Sequence, residues 1–371
     1  EKIPYDIINP EIKFEQIRTE KTSKRTERNC EGKVMCMKKI DEKMMMEMAA
    51  RVKNWGKWGL DDEIGTLNYV TADTVAAAAA LVKKGKVFQL GMNFDTNGPQ
   101  TGRQGRNNPV HCMIWTGTDV VTGRQIEHFG VPADHKGDKW YAGQFADDYL
   151  TLPLQCATHW DALGHIFFHD LDTDEYYMYG GRSPKFVDTT GGCNICGIEK
   201  YANHMAGRGV LLDMARFKGV EYMLPGEGIT AEDLEACAKA QNVEVRRGDF
   251  LIVRTGDSDR RIREKDWGTY CGGDAPGLEF ETIIWLHDKE IAAVATDTWG
   301  VEVRPNRTDM FDQPWHWMCI PIAGLPMGEN FRLDALAADC AEDGQYEFLF
   351  VAPPLLVTGG TASPLNPYVI K

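Results

Sequence analysis

The sequence predicts an α/β fold in which a mixed β-sheet is flanked by helices. One observation predicts it, and a second places the site. From Gly209 onward, short apolar runs of strand type alternate with longer runs of helical period; that alternation is the mark of sheets covered by helices. Before that, the segment 93–150 is rich in Gly, Asn and Asp and has few periodic runs, as expected of a large irregular region that carries a site on a rigid scaffold.

The elements come in chain order. Residues 1 to 40 are charged and polar, rich in Lys and Glu, and read as an arm. "DEKMMMEMAARVKN" (41–54) is made of good helix formers. "TADTVAAAAALVKKG" (71–85) predicts a helix with Thr or Asp to cap it and Gly85 to stop it. "KVFQLGM" (86–92) reads as a strand. Strands are next expected at "GVLLDMA" (209–215), "DFLIVRTG" (249–256), "IAAVATD" (291–297) and "YEFLFVAPP" (346–354). Helices are expected at "TAEDLEACAKAQN" (230–242), "GLEFETIIWLHDKE" (277–290) and "RLDALAADCAEDG" (332–344). Thr230 and Asp233 have the spacing of a capping box. No repeat or linker interrupts the pattern, so the chain reads as an N-terminal arm and helix over 1–54 and one domain over 55–371.

Composition narrows the function. The net charge is −14, which disfavours nucleic acid, because phosphate binding needs a basic footprint, and disfavours an anionic membrane surface for the same reason. A small-molecule substrate is the expected partner. No apolar run approaches the roughly 20 residues that span a bilayer. The ten cysteines are scattered and read as buried, reduced thiols; Cys193 and Cys196 form a single CxxC without the second pair a structural zinc site would want. The visible start is polar and lacks a secretory apolar segment, so a cytoplasmic location is expected.

The chemistry concentrates in "LPLQCATHWDALGHIFFHD" (152–170), which holds three of the nine histidines. A histidine in an apolar segment ordinarily sits in the core with one hydrogen bond satisfied. Here the neighbours argue for more. His159 and Asp161 are two apart, so in an extended chain they share a face with Gln155, while Thr158 and Trp160 take the other. Gly164 allows a bend that returns His165 toward the pair. Imidazole, carboxylate and amide together suit Zn²⁺ or Mn²⁺, although a His-x-Asp pair alone leaves both core packing and metal binding open. Serine elbows, phosphate loops, dinucleotide glycine motifs and HExxH do not occur. Cys156 adjoins the cluster on the opposite parity, a minor candidate nucleophile.

"QCATHWDALGH" resembles the signature H-x-G-T-H-x-D-x-P-x-H of the cyclase-like, or kynurenine formamidase-like, metal-dependent hydrolases, with Thr158, His159, Asp161 and His165 in matching positions. Gln155, Ala157 and Leu163 depart from it. "WHWMCIPIAGLPMGENFRLDAL" resembles the family's second active-site segment through His316 and Glu329. The likeness runs from about residue 55 to 371 and extends to the longer members of the superfamily, which include lactone hydrolases of the trans-dienelactone type. It implies a swivelling β/β/α fold and assembly as a homodimer or homotetramer.

It also implies a mechanism. His159 and Asp161 hold a divalent ion, Zn or Mn, with Gln155 as a possible third ligand; the glutamine in place of histidine points toward one ion rather than two. His316 and Glu329 complete the site or hold a second ion, Glu329 also counting among the catalytic groups. His165 is the general base that lets a water open an amide, lactam or lactone. Trp160, Phe167, Trp299, Trp315 and Trp317 are candidates to stack on a flat ring, and Arg182 and Arg304 to hold a carboxylate. Trp55 and Trp58 are candidates to close a neighbour's pocket. An Fe(II) oxygenase of the two-histidine, one-carboxylate kind and a metal-binding protein without catalysis are the competing readings.

Overall fold

The computed structural model describes residues 38–137 and 143–371. The chain divides into Glu1–Ile40 and Asp41–Lys371. The predicted arm over 1–40, with Cys30 and Cys36, lies almost wholly outside the described residues; the elements and the site belong to the larger unit.

Nine strands of the described residues form one mixed sheet. In chain order they are β1 (Val87–Gln89), β2 (His159–Asp161), β3 (Ala206–Asp213), β4 (Phe250–Arg254), β5 (Ala293–Thr296), β6 (Met327–Glu329), β7 (Glu347–Val351), β8 (Ala362–Pro364) and β9 (Tyr368–Ile370). Across the sheet they run β1-β9-β7-β3-β4-β5-β6-β2-β8. β3, β4, β5 and β6 are parallel to one another, and every other pairing is antiparallel. The α/β expectation is what the structure shows. β4 and β5 are buried at every residue, which is why "FLIVR" and "AVAT" read as continuous rather than alternating apolar runs: both faces of a parallel sheet are covered.

Helices α1 (Glu42–Val52), α2 (Ala72–Ala79), α3 (Ala231–Ala240), α4 (Asp257–Glu264), α5 (Thr282–Asp288) and α6 (Asp334–Asp343) account for the longer helical runs. In α1 the Asp41 side chain accepts the Met44 N–H, and Met45, Met48, Ala49 and Val52 form the buried stripe expected of an amphipathic helix. Arg51 ties α1 to α5 through its Nη2, which donates to both Asp288 carboxylate oxygens at 2.6 and 2.7 Å. The capping box of Thr230 and Asp233 forms as predicted.

Two boundaries and one added ribbon differ from the sequence expectation. α2 ends at Ala79 rather than near Gly85, because the Lys84 and Lys86 N–H groups are captured by the Lys371 carbonyl at the sheet edge. α5 starts only at Thr282, since Gly277–Leu278 pairs with Gly228–Ile229 in a small parallel ladder. The irregular segment contains a ribbon of Val110–Trp115 against Asp147–Thr151, outside the main sheet. The eight described cysteines are free. Among the described residues no helix is long and apolar enough to cross a membrane.

Candidate metal centre

β2 carries the first two residues of the site. It lies between β6 and β8, antiparallel to both, with His159 opposite Glu329 and Trp160 opposite Gly328. Residues opposite one another in an antiparallel pair project to the same side. His159, Asp161 and Glu329 therefore share one face, as the two-residue spacing predicted for the first pair. All three are buried. The His159 Nε2 lies 3.5 Å from an Asp161 oxygen and 3.4 Å from a Glu329 oxygen, and one ligand atom from each residue lies within 4.8 Å of the others.

Hydrogen bonding sets the imidazole's orientation. The His159 Nδ1 is 2.8 Å from the Ala157 carbonyl. A carbonyl can only accept, so Nδ1 bears the proton and Nε2 presents a lone pair. Nε2 and the Asp161 Oδ1 are buried with no hydrogen-bond partner, a cost that native interiors rarely leave unmet. A cation accepting both lone pairs removes it. An imidazole nitrogen with two carboxylates is a donor set that fits Zn²⁺ or Mn²⁺.

The charges agree. Burial alone would push the His159 pKa down, yet Asp161 and Glu329 outweigh it and hold it above its ordinary value. Burial would raise Asp161, but His165, His159 and Arg106 keep its carboxylate ionised, below the usual range. The face attracts positive charge.

His165 comes back beside Asp161, its Nε2 3.8 Å from Oδ1. The return passes through Gly164, where a Cβ would meet the Cys193 sulfur at 2.0 Å, so only glycine fits this approach. Burial holds the His165 pKa below its usual value, opposed by Asp161 and reinforced by Arg106. The ring is thus neutral near neutrality and able to accept a proton.

Of the other predicted residues, His316 stands on the helical turn Pro314–Trp317, which runs into a π-helical turn over Met318–Ile322. Its Nδ1 is 2.5 Å from the Glu302 carboxylate and its Nε2 3.3 Å from Glu329. Burial would lower its pKa, but these two carboxylates raise it to about 10. It braces Glu329, while the cage whose ligand atoms all lie within 4.8 Å of one another is made by His159, Asp161 and Glu329. Gln155 lines the cleft with Glu329, but residues 154–158 turn rather than extend, so the face-sharing expected of it does not hold. Its amide nitrogen lies 3.5 Å from the Thr361 hydroxyl.

The aromatic expectations need correction. Trp160 points to the opposite side of β2, fully buried against Phe331 and Phe350, and Gly328 leaves room for it: a Cβ there would meet its ring at 2.7 Å. Trp315 is buried too, donating to the Thr282 hydroxyl. Both are core residues, not platforms for a ligand. Phe167 is half-buried outside the lining of the cleft, and Trp317 packs edge-on to Phe311. Trp299 does line the cleft. Arg182 is spent on the Tyr179 and Leu60 carbonyls, and Arg304 on Asp312 and the Trp299 ring. Trp55 donates to the Pro321 carbonyl and Trp58 meets Tyr69 edge-on, so both pack within their own chain. Burial pushes the Cys156 thiol up to about 11, which removes its case as a nucleophile.

The chain matches the model of the Cyclase family, described as "Putative cyclase", over residues 68–303. It is also 34% identical to a protein solved as "a novel cyclase", covering 87% of this chain and 99% of that one at a TM-score of 0.72. The chain belongs to the Cyclase family. Isatin hydrolase A from Ralstonia solanacearum shares the fold at 16% identity and a TM-score of 0.53, covering 81% of this chain and 97% of its own. Isatin hydrolase A from Labrenzia aggregata does so at 17% identity and a TM-score of 0.50, with 80% and 96% covered. No curated protein matches the chain.

Sequence reasoning missed three residues of this Cyclase-family site. Glu302 accepts the His316 ring and the backbone N–H groups of Trp315 and His316; it follows Val301, whose φ of +57° is rare for a β-branched residue. Asn330 is buried beside Glu329, its amide nitrogen 3.3 Å from the Ala157 carbonyl and its Oδ1 without a partner. Arg106 enters from the irregular segment. Only Asn330, next to a predicted residue, had a local signal.

Proposed function

We propose that the protein is a metal-dependent hydrolase acting on an amide, lactam or lactone of a small molecule. The observation that carries this is the pair of buried, unpartnered lone pairs on His159 Nε2 and Asp161 Oδ1, with the Glu329 carboxylate across the strand. His159, Asp161 and Glu329 would hold a divalent cation, Zn or Mn, which when bound polarises a carbonyl and makes water more acidic. His165 Nε2 takes a proton from the attacking water and returns it to the leaving group. The Asp161 carboxylate beside that ring favours its charged form during the transfer. His316, held by Glu302, fixes Glu329. Trp299 forms an apolar wall. Two proteins sharing the fold are isatin hydrolases by name, which supports hydrolysis as the reaction class.

Asn330 lines the cleft and its Oδ1 lacks a hydrogen-bond partner; a substrate N–H that reached this acceptor would favour a C–N over a C–O bond, since a lactone has none. The test is a panel of formanilides, cyclic imides, lactams and lactones, run anaerobically with chelator-stripped and metal-restored protein. Turnover restored by metal, without oxygen, is expected, with N–H amides preferred to their N-methyl counterparts. Full activity in the stripped protein would refute the reading, and a strict need for oxygen would move it to the oxygenase class.

A further inference from the structure

We propose that Arg106 is the specificity-determining residue of the cleft and that it receives a carboxylate on the substrate. The inference rests on the hydrolase reading and names its substrate class, an anionic amide.

The two arginines that sequence reasoning singled out are engaged elsewhere, on carbonyls in the case of Arg182 and on Asp312 in that of Arg304. Arg103, in the same loop as Arg106, donates to the Gly272 carbonyl. Arg106 differs. It is half-buried, lines the cleft with Gln155, Trp299, Glu329 and Asn330, and its guanidinium has no hydrogen-bond or ion-pair partner among the described residues. A half-buried guanidinium that no carboxylate engages leaves its planar fork available to an anion supplied by a ligand.

Its position is built rather than accidental. The Arg106 N–H donates to the Arg103 carbonyl and its own carbonyl accepts the Gly102 N–H, both at 3.1 Å. The loop between them turns through left-handed Gly102, Gln104 and Gly105. The ordinary alternative is that Arg106 only balances the site's carboxylates at a distance, and its charge does act on Asp161. A bound divalent cation takes up the charge of Asp161 and Glu329 at close range. Arg106 is then a net positive charge facing the cleft, with its planar fork free for a two-pronged contact with a carboxylate. Trp299 beside it suits a flat apolar body attached to that carboxylate.

The test uses metal-replete protein. Binding of benzoate and benzamide is measured by calorimetry for wild type, Arg106→Gln and Arg106→Lys, with circular dichroism to confirm folding. Wild type is expected to favour benzoate by roughly 10- to 100-fold, the scale of a charge-assisted hydrogen bond. Arg106→Gln should erase the preference and Arg106→Lys should restore part of it. A wild type without the preference overturns the proposal. So does a preference that survives in Arg106→Gln, because the metal rather than the arginine then holds the anion. Hydrolysis of 4-carboxyformanilide and formanilide gives the second readout. Arg106→Gln should raise the ratio of KM for the acid to KM for formanilide by the same factor; an equal loss on both substrates would mark Arg106 as general electrostatic support. If wild type hydrolyses neither compound nor any other amide while the benzoate preference holds, the hydrolase reading fails and the anion site stands.

Discussion

Removing the imidazole at position 159 tests the metal centre most directly. Without a cation, the His159 Nε2 and the Asp161 Oδ1 are both buried and unpaired. An unsatisfied buried polar group costs about 1–3 kcal/mol, more when charged, so an ion that engages both relieves about 2–6 kcal/mol. Ligand linkage gives a matching figure: a cation at a thousand times its Kd adds about 4 kcal/mol. For a domain of this size each kcal/mol moves Tm by about 2 °C, so saturating Zn²⁺ or Mn²⁺ should raise Tm by roughly 8 °C. His159→Ala deletes one ligand and one of the unpaired atoms together, so the metal-free variant should lose little through that atom while its metal-dependent gain falls below about 2 °C. The assay is calorimetry on chelator-stripped protein with and without added metal, alongside elemental analysis. A gain of equal size in wild type and His159→Ala, or no gain in wild type, would sink the assignment.

Three further outcomes are expected. His165→Ala should keep the metal-dependent rise in Tm but lose turnover by roughly 10²- to 10⁴-fold, measured as kcat against metal content. Glu302→Gln sets an amide NH₂ against donors of His316 or Trp315 and should weaken metal affinity by roughly 10- to 100-fold through the misplaced His316 and Glu329, measured by competition with a chromophoric chelator. Burial pushes the Asp339 carboxyl up, but Lys371 and Lys86 outweigh it and hold it below the usual range. A depressed carboxylate contributes stability above its unfolded pKa, lost as pH falls through the folded one, so the Tm gap between wild type and Asp339→Asn should narrow as acid is added.

How much could be read in the sequence depends on the range over which each feature is set. The two-residue spacing of His159 and Asp161 is local, and β2 realises it. The same parity consigns Trp160 to the core, so its offer as a stacking residue went against the spacing that correctly paired its neighbours. Gln155 fell outside because strand parity reaches only as far as the strand, and the chain turns before His159. Glu329 arrives on a strand far along the chain; its link to His159 is a pairing register, which no local period encodes, and it was found through family likeness alone. Glu302 and Arg106 lie on irregular backbone, where position is set by tertiary contacts that leave no periodic trace. The α/β alternation was readable because buried parallel strands need continuous apolar runs, whereas helix ends such as that of α2 were decided by a remote carbonyl.

The narrow strand β2 is gripped on one side by β6 and on the other by β8, both contributed by the last part of the chain. During synthesis, then, the motif around His159 leaves the ribosome long before anything exists for it to pair with. Contacts so distant along the chain form slowly and late, so a nascent polypeptide halted ahead of Glu329 should lack the competent cage, and ion capture should mark the end of maturation rather than nucleate it.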